Sequence, residues 1–360
     1  MSSEYEDLLL LLNIVRLSYD KQYVLYEEIG IRSIKELRES LYNLPFSRSI
    51  IEKLSKRIDK TDIDKYKDRL LQLNIHKVHY TDLDYPENLI HIQNPPPILY
   101  YKGILEKTFN KGVSVVGSRK CTDYGKYVCE KLVRELSYYK IPIISGLALG
   151  IDGIAHRAAL DNDNKTLGVL GNGIDQIYPK SNRALYSKME SNGCIVSEFP
   201  LGSDPKPYNF PQRNRIISGI GTGVLVIEAQ EKSGTLLTAT AAGEQGREVF
   251  AVPGNIFSQG SSGTNKLIQD GAKLVMNVED ILNELPYEDS ILQTQCKEEI
   301  NEELSGNEKS IFQSLMISPK NCDELCFEKD MAISEVLEII TSLELKGLIG
   351  MIGDKYSILK

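Results

Sequence analysis

An α/β fold with an open, mostly parallel sheet, flanked by a small helical domain on one side and a small helix-and-hairpin domain on the other, is the class predicted for this 360-residue sequence. Three observations carry it. Between about residues 98 and 285, short and nearly continuous apolar runs alternate with helical stretches. Gly, Ser and Thr cluster directly after those runs. The segments on either side show helical periodicity. Strands that are apolar throughout are buried on both faces, which requires helices above and below a parallel sheet.

The first segment is read as helices over residues 5–17, 20–30, 34–42 and 47–58, with Leu8, Leu9, Leu12 and Val15 near helical spacing and Gly30 as a C-cap. The stretch from Leu25 to Ile58 is loosely similar to helix-hairpin-helix or SAM-like modules, and residues 1–75 are assigned to this domain. Asn94-Pro95-Pro96-Pro97 continues neither helix nor strand and marks where the alternating pattern begins. The α/β domain is assigned to residues 76–285. Its strands are placed at Val113–Val116, Ile141–Ser145, Leu167–Leu170, Ile195–Ser197, Val224–Ile227 and Val249–Val252. Helices are placed at Tyr124–Tyr139, Ile151–Leu160, Ser181–Ser191, Asn214–Ser218 and Leu236–Gln245. Right-handed crossovers make this a Rossmann-like open sheet, whose ligand crevice lies at the carboxyl ends of the strands. Residues 286–303 are polar and acidic, as in a linker. In residues 304–360, helices Glu308–Leu315, Asn321–Phe327 and Ser334–Lys346 precede two strands, Leu348–Ile352 and Tyr356–Leu359, joined by a turn at Gly353-Asp354. Three helices and a two-stranded wing predict a winged-helix domain.

The whole chain carries a formal charge of −8 with 41% hydrophobic and 26% charged residues, an ordinary globular composition. The charge is uneven: −2 over residues 1–97, +2 over 98–285 and −8 over 286–360. A nucleic-acid site therefore has to be a local patch in the middle segment. The acidic last segment reads as a poor binder of duplex nucleic acid. No apolar run approaches the roughly 20 residues of a membrane helix. Glu4, Glu6 and Asp7 precede the apolar N-terminal run and no small-residue cleavage site follows it, which argues against a signal peptide. The six cysteines are scattered with no CxxC pair, so reduced thiols and a cytoplasmic location are expected.

Five loops carry chemistry. Val116-Gly117-Ser118-Arg119 closes a strand and opens a helix, so its N–H groups, the helix N-terminus and Arg119 can hold an anion. It is not the dinucleotide fingerprint, and the next strand ends in Ser145-Gly146 without an acid for a ribose. In the loop from Ser145 to His156, Asp152 and His156 are four apart and could form a base and its orienter, but packing under the loop is the favoured reading. Gly171-Asn172-Gly173 leads to Tyr178-Pro179-Lys180, which places Lys180 near a helix N-terminus. In Lys206-Pro207-Tyr208-Asn209-Phe210-Pro211-Gln212-Arg213-Asn214-Arg215, cations and aromatics interleave as in single-strand binders. Arg213 and Arg215 converge on phosphates if this segment is extended up to its helix; Phe210 reads as core. Lys232-Ser233-Gly234-Thr235 opens another helix, preceded by Glu228, which either acts catalytically or caps. So many anion-ready loops along one edge exceed the needs of a mononucleotide and suggest a polyanion laid across it. A Walker A sequence and metal-ligand spacing are both lacking, so no cofactor is expected; Cys322 and Cys326 read as buried on a helix.

The segments VVGSRKCTDYG, ISGLALGIDGIAH, LGNGIDQIYPKSN, FPQRNRIISG, EAQEKSGTLLTA, GREVFAVPG and TNKLIQDGAKLV occur in this order. Together they strongly resemble the bacterial DNA-processing protein A (DprA/Smf) family over roughly residues 80–280. The resemblance implies a non-enzymatic protein that binds single-stranded DNA without sequence preference, forms a homodimer, and loads the RecA recombinase during natural transformation. It implies DNA contacts by Arg119, Lys180, Lys206, Arg213 and Arg215, beside the loop residues Gly117, Ser118, Asn214, Lys232, Ser233, Gly234 and Thr235 read from the motifs. It implies a dimer surface around Thr264–Lys273, with Leu267, Ile268 and the adjoining Leu274 as apolar contacts. The competing reading is a nucleotide-processing enzyme similar to phosphoribohydrolases, with Gly219-Ile220-Gly221-Thr222 and Glu228 as its site.

Overall fold

A computed structural model describes residues 3–286, 306–317, 320–346, 348–352 and 355–358. Two compact units emerge, Met1–Leu285 and Pro286–Lys360.

The first unit is built on a nine-stranded sheet in the order β1-β2-β6-β5-β4-β3-β7-β8-β9. In chain order the strands are His76–His79, Ile98–Gly103, Val113–Val116, Ile143–Ser145, Thr166–Leu170, Cys194–Ser197, Gly223–Val226, Glu248–Ala251 and Lys273–Leu274. Strand β2 runs antiparallel to both β1 and β6, and every other neighbouring pair is parallel. The helices of this unit used below are α1 (Ser3–Ile14), α2 (Tyr19–Tyr23), α3 (Ile34–Ser40), α4 (Arg48–Lys60), α5 (Ile63–Gln72), α6 (Glu87–Ile90), α7 (Asp123–Tyr138), α8 (Ile151–Asp161), α9 (Arg183–Asn192), α10 (Asn209–Ile220), α11 (Gly234–Glu244) and α12 (Ser262–Gln269).

Alternation along the strands sorts their side chains into two cores. Tyr100, Leu170 and Ile195 face one side with Leu185 and Met189; Leu99, Val169 and Val196 face the other with Ile216, Ile217 and Ile220. Helix α1 completes the first core. Its five consecutive leucines, Leu8 to Leu12, are at most 1% exposed, so this stretch of the helix is enclosed on all sides. Polar ties pin the same layer down: Tyr100 donates to Asn13 (2.8 Å), Asn13 donates to the Glu198 carbonyl (2.9 Å) and the Leu201 amide donates to the Tyr66 hydroxyl (2.8 Å). The helices before residue 75 thus share a core with the sheet.

The second unit holds helices Gly306–Ile317, Cys322–Lys329 and Ile333–Leu345, then antiparallel strands Ile349–Ile352 and Lys355–Ile358. Leu325, Val336, Ile340 and Ile349 lie in its core. Asn321 and Glu324 form a reciprocal capping box on the second helix. Cys322 and Cys326 are half-buried against this core, less enclosed than their spacing led us to expect. Residues 287–303 of the expected linker and the turn at Gly353-Asp354 lie outside the described residues. Among the described residues, no helix is long and apolar enough to cross a membrane.

Candidate nucleic-acid interface

The chain leaves β3 toward β4 on one side and returns to β7 on the other, so the strand order reverses between β3 and β7. Loops diverge there and leave a crevice at the carboxyl ends. The turn after β3 is held tightly. The Glu228 carboxylate, buried just beyond β7, accepts from the Thr122 amide (2.9 Å) and hydroxyl (2.5 Å), while the same hydroxyl caps α7 by accepting from Gly125 (3.1 Å). Glu228 is therefore a clasp between β7 and the start of α7. From the second side, the loop after β4 leans on the turn: Gly150 has φ +71° and its Cβ position lies 2.2 Å from the Ser118 carbonyl. Only glycine fits there.

The crevice is a cleft of about 660 Å³. Gly117, Ser118 and Arg119 line it together with Asn214, Ser233, Gly234 and Thr235. Thr235 donates to the Gly117 carbonyl (3.1 Å) and Asn214 donates to the Gly234 carbonyl (3.2 Å), which ties the start of α11 to the turn after β3 and to α10. Arg119 is exposed and lies over the Phe210 ring, 5.3 Å from its centroid. The Phe210 and Tyr178 rings follow at 5.8 Å, tilted by 33°. Phe210 is thus a wall of the cleft and not the core residue expected. Its contribution was hidden because an apolar residue beside a helix start reads as core.

The two arginines of this segment also depart from expectation. Helix α10 already begins at Asn209, because Pro211 falls in its first turn, where a missing N–H costs nothing. Arg213 and Arg215 therefore lie on the helix and point apart. Arg213 is 4% exposed and donates to the carbonyls of Gly146 (2.7 Å) and Val169 (2.6 Å). It faces Asp152 across Gly146, whose Cβ position would lie 2.2 Å from the guanidinium and 2.6 Å from the carboxylate. Burial pushes the Asp152 carboxyl up, and Arg213 pulls against that shift. Arg213 is a buried brace at the floor of the cleft. Arg215 is paired with Glu198 (2.5 Å) and does not line the cleft. Lys180, Lys206 and Lys232 are exposed, lie outside the cleft lining and make no ion pair among the described residues. Leu267 and Ile268 on α12 are half-buried, and Leu274 is 37% exposed on the edge strand β9.

His156 is fully buried and bonds Thr166, not Asp152 (Nδ1 to Oγ1, 2.6 Å). Thr166 gives its only proton to the Ile143 carbonyl (2.8 Å), so Nδ1 carries the imidazole proton. Burial, with Arg157 and Arg213 nearby, holds the ring pKa down at about 3 against an ordinary 6.5. The unfolded chain takes up this proton first as pH falls, so stability is intact above 6.5 and declines below it. Urea unfolding should lose about 1 kcal/mol of stability per pH unit from this group between those values, and His156→Gln should flatten the dependence.

The phosphoribohydrolase-like alternative meets a geometric obstacle. Gly219–Thr222 precede β7 and Glu228 follows it, so about six residues, on the order of 20 Å of extended chain, separate them at opposite ends of that strand.

The family model of the DNA recombination-mediator protein A matches residues 76–286. The chain belongs to this family. The DNA processing protein DprA of Bacillus subtilis is 44% identical over 214 residues, covering 59% of this chain and 72% of that protein. The Streptococcus pneumoniae DprA is 44% identical over 203 residues, covering 56% and 72%. An X-ray structure of the Streptococcus pneumoniae DprA superposes with a TM-score of 0.71 at 35% identity, over 80% of this chain and 99% of that one. A Helicobacter pylori DprA structure, which describes that protein's single-stranded DNA binding mode, has a TM-score of 0.53 at 29% identity, over 58% and 94%. The family model begins at β1, so α1 to α5 lie before it.

Proposed function

We propose that this chain binds single-stranded DNA, without sequence preference, in the cleft between β3 and β7. The observation that carries the reading is the Arg119–Phe210–Tyr178 stack beside two tied, glycine-containing segments, the turn after β3 and the start of α11. Flat aromatic faces accept any base, and loop N–H groups with an exposed arginine accept any phosphate. The Helicobacter pylori relative's single-strand binding mode supports it. Arg119, Lys180, Lys206 and Lys232 supply the mobile positive charge. Arg213 serves by bracing the floor and Arg215 by fixing α10.

The protein acts as a homodimer through Leu267, Ile268 and Leu274, protects incoming strands, and loads RecA in natural transformation. The helices before residue 75 are a SAM-like module, and residues 304–360 are a winged helix. Binding to a short oligo-dT measured against salt tests the cleft. About four neutralised phosphates give a slope of log K against log salt near −3, and a dimer holding one longer strand roughly doubles it. Leu274→Glu should bring the doubled slope back and halve the mass in sedimentation. A faster onset of RecA ATPase on single strands tests the loading role. Release of free base from nucleoside monophosphates would instead favour the enzyme.

A further inference from the structure

We infer that the bound strand continues out of the cleft into a second groove on the N-terminal helices, lined by Arg16, Arg57, Lys60 and Lys206. The inference rests on the single-strand reading above and extends it to residues that precede the family match. The groove measures about 420 Å³ and has only Ile14 and Thr61 as its other lining residues. Its cations come from three distant places in the chain: the end of α1, the last turn of α4 and the loop before α10.

What sets the groove apart is that four cations share one lining with no acidic residue among them. Of the other cations on this layer, Arg38 pairs with Asp59, Arg48 with Glu52, Lys67 with Asp7 and Lys77 with Glu6, while Lys35, Lys53 and Lys65 make no ion pair among the described residues but do not line the groove. The four groove cations make no ion pair among the described residues, and no carboxylate lines the groove. Asp59, next to Lys60 in sequence, is taken by Arg38. Asp204 is the nearest acid to Lys206 along the chain. Two of the cations are held in place by neutral partners: Arg16 donates to the Ser203 hydroxyl (2.5 Å) and Arg57 to the Val15 carbonyl (2.6 Å). Unopposed, positioned positive charge attracts a polyanion. With no aromatic side chain in the groove, the ligand there is the phosphodiester backbone and not the bases.

Continuity with the cleft comes from one short segment. Pro205 and Pro207 line the cleft, and Lys206 between them lines the groove. A strand crossing this segment passes directly from one to the other.

The test is fluorescence anisotropy on the full chain with oligo-dT of about 6 and about 20 nucleotides, the first near the short end of single-strand site sizes and the second beyond their long end. The wild type should bind the longer strand more tightly, and in the Leu274→Glu background, where no second protomer shares the strand, the salt slope on the longer strand should be steeper by about 2, as three further phosphates would give. Lys60→Glu should weaken the long strand about tenfold and leave the short one unchanged, with Lys60→Gln between. Lys60 is exposed, so the fold should survive, and a thermal melt checks this. Equal binding of the long strand by Lys60→Glu and wild type, or an equal loss on both lengths, overturns the inference. Failure of the wild type to bind either length overturns the cleft reading with it, whereas Arg119→Ala weakening both lengths upholds the cleft alone.

Discussion

Arg119→Ala should lower affinity for a short oligo-dT by about tenfold or more while leaving the thermal midpoint unchanged. The side chain is exposed and free of ion pairs among the described residues, so folding does not depend on it. Its loss removes a phosphate contact and the cation seated over Phe210. The salt slope should become shallower by roughly 0.7, the share of one phosphate on a single strand. Arg119→Lys separates the two contributions. It keeps the charge, and so the slope, but loses the planar fork and its stacking, and so should recover only part of the affinity. An unchanged affinity in Arg119→Ala would remove the stack from the binding site.

Arg213→Ala should behave in the opposite way, losing stability first and binding only as a result. The guanidinium satisfies two buried carbonyls and offsets the buried Asp152 charge. Removing one member of such a set typically costs about 3–5 kcal/mol, because the other charge stays buried without compensation. Asp152→Asn in the same chain should recover part of that loss, since a neutral amide needs no counter-charge. The double variant should therefore be less destabilised than the two single losses added together. A stable Arg213→Ala protein that merely binds DNA weakly would return Arg213 to the role of a phosphate ligand.

These two arginines show what the sequence could and could not convey. Both sit beside glycine-containing loops at strand ends, and that placement was legible from the alternation of apolar runs and helices. Strands β3 to β8 fell within a residue or two of those runs because β3 to β7 are buried throughout and β8 over its second half. Strands β1, β2 and β9 were missed. The first two lie on either side of the Pro95–Pro97 run that reads as a boundary, His76–His79 has no apolar run to signal it, and β9 is only the two residues Lys273–Leu274. The start of α10 was missed because a proline argues against helix unless it is known to fall in the first turn. That shift of a few residues decided the fate of Arg213 and Arg215. Glu198, the partner of Arg215, comes from the end of β6, and the partners of Arg213 come from β5 and the loop after β4. Such pairings are set by sheet order, which apolar periodicity does not contain. The same holds for the groove cations, assembled from separate elements.

The most direct test of the cleft is a competition between labelled oligo-dT and a duplex of equal length over a salt series, with wild type against Arg119→Ala/Lys180→Ala. The expected result is strong preference for the single strand, a steep loss of affinity with salt, and loss of most single-strand binding in the double variant at an unchanged melting temperature. Equal binding of duplex and single strand by the wild type, or full binding by the variant, would contradict a single-strand site between β3 and β7.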